Sequence, residues 1–402
     1  MLRKVVRSAA REPSFREAAE AMADMAEVTI SGRQLDRIAR ELGEQLQARR
    51  DEQVDRFHSG TLEPRVETRP ALAVVEVDGG RLQLRGEGQG PGAHEAAWRE
   101  DKVAILATMS HVVSECDPEP VLPACFRDRD YVGKVIGAIG GTGPMGPPAS
   151  EVDEPAVLPI PAAAGTAAPR PAPELAVRTY VATTASVDRF GPMVAAEAQR
   201  RNFAEAAARA FLGDGSAWIW GLHRRYFPTF VAIVDFLHAL GHLFTAARAM
   251  AADTEGRWET FQAWAEACWR GRVDQVIAEL RTRCDLQAGL SGGGLEGLAD
   301  DDPRRVVARV LGYLGDNRQR MDYPRYRREG LPWTTSHVES TVKVFNRRVK
   351  GSEKFWSEAG AEAILQLRAA FLSEDGRLDR HLKERPSSPF RNYKTRKARK
   401  AA

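Results

Sequence analysis

The sequence predicts an α/β fold in which helices cover a mixed sheet and one long helical block interrupts it. Short apolar, strand-like runs recur between residues 71 and 235 and alternate with helical patterns. A helical period then continues from about 237 to 330, and further helical patterns follow it. Because strands that alternate with helices pack as a sheet with helices on both faces, we expect a sheet domain that carries a helical insertion.

Composition is that of an ordinary globular protein. The chain has 402 residues, of which 43% are hydrophobic and 28% are charged, enough for two or three domains with a sizeable core. It contains no run of about 18 apolar residues, and its first residues lack the apolar segment of a signal peptide, so we expect a cytoplasmic protein. The four cysteines have no C-x-x-C spacing, which argues against a zinc site or a disulfide framework.

Residues 1–66 form a predicted helical region. Ser14 and Glu17 match a capping box, the residues VTIS interrupt the helical period, and a second helix continues to about residue 58. Two helices joined by a short break are compatible with a helix-turn-helix that reads DNA. They are also compatible with a helical hairpin that packs on the catalytic domain, which the pattern alone slightly favours.

The first part of the sheet domain is expected in residues 67–136. Two strand-like runs flank an Asp-Gly-Gly sequence at 78–80, which predicts a β-hairpin over residues 71–86. A third strand is expected at 102–109.

A surface insertion and the second part of the sheet domain follow. Residues 137–176 are rich in glycine, proline and alanine, which is typical of a flexible or surface segment rather than of core. Residues 177–238 again alternate strand-like and helical patterns, and two of their apolar runs lead to Asp214 and Asp235.

The rest of the chain is predicted to be mostly helical. Residues 239–332 form the all-helical insertion, 333–376 the last helices of the sheet domain, and 377–402 a basic, disordered tail. Basic blocks of this kind often contact nucleic acid. The order of elements, with a helical block before the final helices, is the order expected of a ribonuclease-H-like fold.

Three acidic residues, each in a distinctive local sequence, are the candidate catalytic and metal-binding groups. Asp78 and Asp214 follow apolar, strand-like runs, and Glu339 lies on a helical pattern rich in lysine and arginine. A carboxylate at the end of a buried strand is costly unless it is paired or binds a cation. If the three converge, they suit magnesium or manganese, and two such ions can catalyse phosphodiester cleavage and transfer.

Each acid also has a purely structural interpretation. Asp78 and Asp214 are each followed by glycine, and Asp-Gly is favoured in hairpin turns without any function. Glu339 could pair with Lys343 on a solvated helix face. Only the three acids together, in this order along the chain, favour a catalytic site.

Asp235 and His238 form an Asp-x-x-His pair where the last strand-like run ends. The i,i+3 spacing places both side chains on one face at the start of a helix. One interpretation is a capping aspartate with a satisfied histidine. The other is a pair that supports the catalytic acids or contacts DNA or phosphate, which we expect rather than a zinc site.

Basic side chains near Glu339 and in the tail are the candidate DNA contacts. Such residues hold phosphates and position DNA without reading its sequence, and the alternative is a solvated basic surface. The candidates are Lys343, Arg347, Arg348, Lys350, Arg396 and Lys397.

Taken together, the sequence resembles bacterial insertion-sequence transposases of the ISKra type, which are relatives of the Mutator-like DDE transposases. The resemblance spans roughly residues 14–375 and is most specific at 213–220 (GDGSAWIW) and 338–369 (VESTVKVFNRRVKGSEKFWSEAGAEAILQLRA). Further matching segments are VDGGRLQLR, WREDK, RTYVATT, the VDFLHA stretch and RMDYPRYRREGLP.

The resemblance implies a metal-dependent DNA transposase. Its catalytic acids would be Asp78, Asp214 and Glu339, binding magnesium or manganese, while Asp235 and His238 match the family's C/D-x-x-H signature. It also implies that the chain binds terminal inverted repeats and target DNA as a homodimer or larger assembly, at the bacterial nucleoid. Such relatives commonly carry an additional N-terminal region with cysteine pairs, which we expect this chain to lack.

Two other functions agree with the same residues. One is a catalytically silent transposase remnant that only binds DNA, and the intact acids argue against it. The other is a structure-specific endonuclease of the same fold, and the long helical insertion before Glu339 favours the transposase instead.

Overall fold

The computed structural model describes residues 1–66, 68–86, 97–140, 173–250, 253–291, 295, 297–334, 345, 348–349 and 354–385. Within these residues the chain forms a six-stranded sheet covered by helices on both faces. The strands are β1 Leu72–Leu84, β2 Ala97–Met109, β3 Leu175–Thr183, β4 Ala208–Gly213, β5 Val231–Val234 and β6 Phe355–Trp356.

The sheet is mixed, which confirms the predicted α/β class. Its strand order is β3-β2-β1-β4-β5, and the short β6 pairs with the far end of β1. β2 is antiparallel to both β1 and β3, whereas β4 is parallel to β1 and β5 is parallel to β4. Because β1, β4 and β5 run in the same direction, the carboxyl ends of β4 and β5 lie side by side, level with the middle of β1.

The helices fall into an N-terminal group, connections between strands, a long block before β6 and two final helices. They are α1 Leu2–Arg11, α2 Phe15–Ala26, α3 Gly32–His58, α4 Arg129–Gly140, α5 Val187–Arg200, α6 Ala217–Tyr226, α7 Phe236–Met250, α8 Thr254–Trp269, α9 Val273–Ser291, α10 Pro303–Asn317, α11 Tyr323–Arg328, α12 Glu358–Leu372 and α13 Arg377–Glu384. None of the helices described is both long and apolar enough to cross a membrane.

Two hydrophobic cores lie on opposite faces of the sheet. Val75 and Val77 of β1 belong to the core built with α5–α11, which includes the buried rings of Trp264 and Trp269. The other face packs against α1–α3, α12 and α13. The helical insertion and the N-terminal helices therefore stabilise the same sheet from different sides.

The N-terminal helices pack directly on the sheet domain, as the hairpin interpretation of residues 1–66 expects. Ser14 caps α2 and Ser31 caps α3, each by accepting a hydrogen bond from a backbone N–H of the first turn. α3 crosses α12 so closely that a methyl group on Gly43 would overlap the backbone carbonyl of Ala363. Glycine is required at this crossing because any side chain would push the helices apart.

The hairpin predicted over residues 71–86 is wrong. β1 is one continuous strand through Asp78, Gly79 and Gly80, and it pairs with β2 along its whole length. Neither glycine has the positive φ that a tight hairpin turn requires. A Cβ on Gly80 would lie 2.7 Å from Oδ1 of the fully buried Asp101, so this glycine makes room for a neighbouring side chain instead of turning the chain.

Two predicted segment boundaries also differ from those in the structure. α4 continues to Gly140, so the start of the surface insertion at residue 137 is wrong, and residues 141–172 lie outside the described part of the chain. The predicted disordered tail begins too early, because residues 377–384 form α13. Arg385 then pairs with Glu41 of α3 at 2.7 Å, and residues 386–402 lie outside the described part.

We predict that Gly43→Ala lowers the free energy of unfolding by about 1–3 kcal/mol, because overpacking outweighs the gain in helix propensity. Gly133→Ala in α4 is the matched control, since a methyl group there would meet no atom within 4 Å. This control should be neutral or slightly stabilising. Urea unfolding followed by circular dichroism measures both, and equal midpoints for the two variants would contradict the close crossing of α3 and α12.

Candidate functional site

Three aspartates lie in a row at the carboxyl edge of the parallel strands. In the sheet register Val77 pairs with Gly213, and Gly213 pairs with Val234. The next residues are Asp78, Asp214 and Asp235, so each acid follows the same register position of its strand. Neighbouring strands are about 4.8 Å apart, which brings the three carboxylates close together.

Asp78 lies within β1 and is half-buried. Its carboxylate accepts a hydrogen bond from the backbone N–H of Gly79 at 2.7 Å. Burial raises the pKa of Asp78 to about 6; the charge on His238 opposes this shift, and Asp214 adds to it. The aspartates on β1 and after β4 therefore sense each other's charge, which is expected of carboxylates that share one site.

Asp214 begins the turn between β4 and α6, and this turn fixes its carboxylate. Oδ1 accepts a hydrogen bond from the backbone N–H of Ser216 at 2.7 Å, and Oδ2 accepts one from the Ser216 hydroxyl at 2.9 Å. Gly215 between them has φ +105°, a conformation that favours glycine. The Gly-Asp-Gly-Ser sequence therefore fixes the orientation of the Asp214 carboxylate through local hydrogen bonds.

The helical insertion supports this turn from outside the sheet. Tyr313 of α10 donates a hydrogen bond to the backbone carbonyl of Asp214 at 2.8 Å, and its ring stacks on His242 with centroids 3.6 Å apart. Asn317, one turn later, donates to the carbonyl of Gly215 at 3.3 Å and accepts from the indole N–H of Trp220 at 2.7 Å. Local sequence patterns do not predict these hydrogen bonds, because their partners lie about a hundred residues apart.

Asp235 is fully buried and forms an ion pair with His238 on the first turn of α7. The His238 Nδ1 lies 2.6 Å from Asp235 Oδ2, and the His238 backbone N–H donates to the same oxygen at 3.3 Å. Burial opposes the charge on His238, but the hydrogen bond with Asp235 and the nearby Asp78 and Asp214 outweigh it and raise the pKa to about 10. Asp235 thus caps the first turn of α7, and His238 is a cation among three acids.

Glu76 is a further acid in this region that sequence reasoning missed. It lies two residues before Asp78 and is therefore on the same face of β1. Its side chain is 3% exposed, and its Oε2 has no hydrogen-bond partner among the described residues. Burial, with a contribution from Asp235, raises the pKa of Glu76 well above its usual range. The alternation of strand side chains was the signal that could have identified it.

The last predicted acid, Glu339, lies outside the described residues, as do Lys343, Arg347, Lys350, Arg396 and Lys397. Phe345 and Val349, which follow it, belong to the core that contains Val103, the register partner of Asp78. The Phe345 ring also packs against Tyr180 with centroids 5.7 Å apart. Phe345 and Val349 therefore pack on the face of the sheet to which the Asp78 side chain belongs.

The expectation that Arg348 contacts DNA does not fit its position. Its side chain is only 2% exposed, and Nε donates a hydrogen bond to the backbone carbonyl of Ala9 at 3.0 Å. Its guanidinium also lies over the Phe15 ring at 4.2 Å. Arg348 therefore contacts the N-terminal helices, and it is not available to a phosphate.

The described acids suit a hard cation by chemistry but do not form a complete metal site. No group of three or more His, Cys, Asp or Glu side chains in the described ranges is arranged to hold a metal ion. Asp78 and Asp214 supply oxygen ligands of the kind that magnesium and manganese prefer. Asp235 is less suited to direct ligation, because His238 already occupies its carboxylate.

A comparison with protein-family models and with curated proteins finds no match for this sequence. The functional assignment therefore depends on the residues and their geometry.

We predict that His238→Gln in a metal-chelating buffer lowers the free energy of unfolding by about 2–4 kcal/mol near neutral pH, because it leaves Asp235 buried without its cation. The pKa of His238 is raised from 6.5 to about 10 in the folded protein. The stabilisation should therefore be complete below pH 6.5 and disappear as pH rises towards 10. Urea titrations of both proteins at a series of pH values measure this difference.

The exposed His58 at the end of α3 is the control, since His58→Gln should change stability by less than about 0.5 kcal/mol. A stability difference for His238→Gln that is the same at pH 6 and pH 10 would contradict the charged pair.

Proposed function

We propose that this protein is a DDE-type transposase that cleaves DNA at the ends of an insertion sequence and joins those ends to target DNA. The observation that carries the proposal is the placement of Asp78 and Asp214 at the same register position of two adjacent parallel strands. Burial and mutual repulsion of two such carboxylates are tolerated when a cation binds between them.

The strand order supports a ribonuclease-H-like domain. A central β1 that is antiparallel to β2 on one side and parallel to β4 on the other is compatible with such a mixed sheet. The helical block α7–α11 follows β5 and precedes Glu339 in the chain. This is the position expected for the helical insertion of a transposase.

The site residues have separable roles in this proposal. Magnesium or manganese held by Asp78, Asp214 and Glu339 would activate the attacking hydroxyl and stabilise the leaving oxygen. With a pKa of about 6, Asp78 is mostly a carboxylate at neutral pH and can act as a ligand. Ser216 orients Asp214, while Asp235 holds the positively charged His238 next to both acids.

Charge and assembly complete the proposal. Lys343, Arg347, Lys350 and the basic tail with Arg396 and Lys397 would contact the phosphates of terminal inverted repeats or target DNA. Because both ends of an element must be held together for joining, we propose a homodimer or larger assembly on DNA, at the nucleoid of a bacterial cell.

We predict that Asp78→Asn and Asp214→Asn each reduce strand cleavage by roughly 10²-fold or more while leaving DNA binding intact, because the carboxylate charge is removed without a change of shape. Glu339→Gln should do the same. The substrate is a plasmid that carries the gene with its flanking genomic DNA, and the readout is the appearance of 3′-hydroxyl ends with magnesium or manganese and their absence with EDTA.

Asp188→Asn is the matched control, since Asp188 is 89% exposed and has only a 3.8 Å ion pair with Arg225. This variant should cleave like the wild type. Cleavage that survives Asp78→Asn would overturn the proposal. Cleavage of branched DNA without cleavage at the flanking ends would favour a structure-specific endonuclease, and binding without any cleavage would favour a silent remnant.

A further inference from the structure

A basic groove lies at the edge of the sheet opposite the acids. It has a volume of about 570 Å³ and is bordered by Pro70 and Ala71 before β1, Met109 at the end of β2 and Leu175 at the start of β3. Asp78 is six residues further along β1 than Leu72, a separation of about 20 Å in an extended strand. The groove is therefore separate from the candidate catalytic site.

Arginine dominates the charge of this groove. Five arginines and three acids line it, and they come from the connection before β1, from α5 and from α13. These residues are Arg65, Arg69, Arg200, Arg201 and Arg380, with Glu174, Glu197 and Asp375.

The inner arginines are already engaged by the fold. Arg200 forms an ion pair with Glu197 at 2.9 Å, and Arg380 forms one with Asp375 at 3.4 Å. Arg201 is buried and donates to the backbone carbonyls of β2 and β3, including that of Val177 at 3.0 Å. Arg200 and Arg380 are thus paired with acids, and Arg201 is held by neutral acceptors.

The surplus positive charge lies on the exposed rim. Arg65 is exposed, and its guanidinium has no hydrogen bond or ion pair to any described residue. Partial burial, with the nearby Arg380 and Arg200, lowers the pKa of Arg65, and Asp375 opposes this shift. Arg69 is also exposed, and its only described side-chain contact is a hydrogen bond to the backbone carbonyl of Glu205 at 2.6 Å.

We infer that this groove binds the phosphate backbone of duplex DNA, at a segment distinct from the one that reacts. This inference rests on the proposed function for the identity of the polyanion. A single phosphate on an exposed rim would be held weakly, because water screens it and the inner arginines are already paired. A backbone presents phosphates in series and releases counterions from several contacts at once, which suits arginines spread along an open groove.

The separation of about 20 Å from Asp78 decides which DNA the groove can hold. Duplex DNA carries one charge per about 1.7 Å of its axis, so a phosphate in the groove lies several base pairs from a phosphate at the acids. The groove would therefore hold flanking or target DNA while the acids act on the cleaved strand.

The test is equilibrium binding of a fluorescent 30-base-pair duplex to the full chain in EDTA, measured by anisotropy over a range of salt concentrations. For Arg65→Ala combined with Arg69→Ala, we expect about 3- to 10-fold weaker binding and a salt-dependence slope reduced by about one for each lost contact. Arg65→Lys, which keeps the charge, should retain most of the affinity.

Arg272→Ala is the matched control, since Arg272 is exposed, lies outside the groove and has no side-chain hydrogen bond or ion pair within the described part of the chain. It should leave affinity and slope unchanged. Thermal unfolding must show that the double variant is folded, which its exposed positions favour. Unchanged affinity and slope in the folded double variant would overturn the inference.

Two further outcomes distinguish binding of duplex DNA in the groove from binding of a small anion and from the proposed transposase activity. If the double variant loses binding of inorganic phosphate but binds the duplex normally, the groove is a small-anion site and the inference is wrong. If duplex binding depends on Arg65 and Arg69 but the protein cleaves no DNA, the groove inference stands and the proposed transposase activity fails.

Discussion

The parallel register of β1, β4 and β5 is the constraint on which the rest of the structure depends. Because Val77, Gly213 and Val234 are aligned, the three following aspartates reach one edge of the sheet together. A slip of one residue in β1 would send the side chain of Asp78 to the opposite face, towards the other core. The apolar runs before the acids fix this register because both faces of the sheet are buried.

Concentrating acids at one edge creates an electrostatic cost that the surrounding elements reduce. His238 supplies a cation, Ser216 donates hydrogen bonds to Asp214, and Tyr313 of the helical insertion anchors the backbone of the same turn. The cost is not removed completely, since the pKa of Asp78 stays near 6 and that of Glu76 is well above its usual range. A buried site with residual repulsion between carboxylates favours binding of a cation.

The sequence identified the parts of the site that depend on local pattern and missed those that depend on distant contacts. Asp214 and Asp235 were found because an apolar strand before an acid is a local signal. The turn at Gly80 was predicted wrongly because Asp-Gly-Gly is locally favoured in hairpins. In the structure, position 80 must lack a side chain because the buried Asp101 on β2 occupies that space. Arg348 was expected on a basic surface, yet a carbonyl from α1, more than 300 residues earlier, receives its hydrogen bond.

The two ends of the sheet have opposite charge, and this polarity has a consequence for a polyanion. The acids in the middle of β1 and after β4 repel a polyanion unless a cation is bound, whereas the arginines at the opposite edge favour a polyanion without one. Attraction through Arg65 and Arg69 would therefore precede and orient any approach to Asp78. An enzyme that acts at one position of a DNA strand while it holds a second DNA segment would benefit from this separation. Its affinity for DNA would then not depend on whether a cation occupies the acidic site.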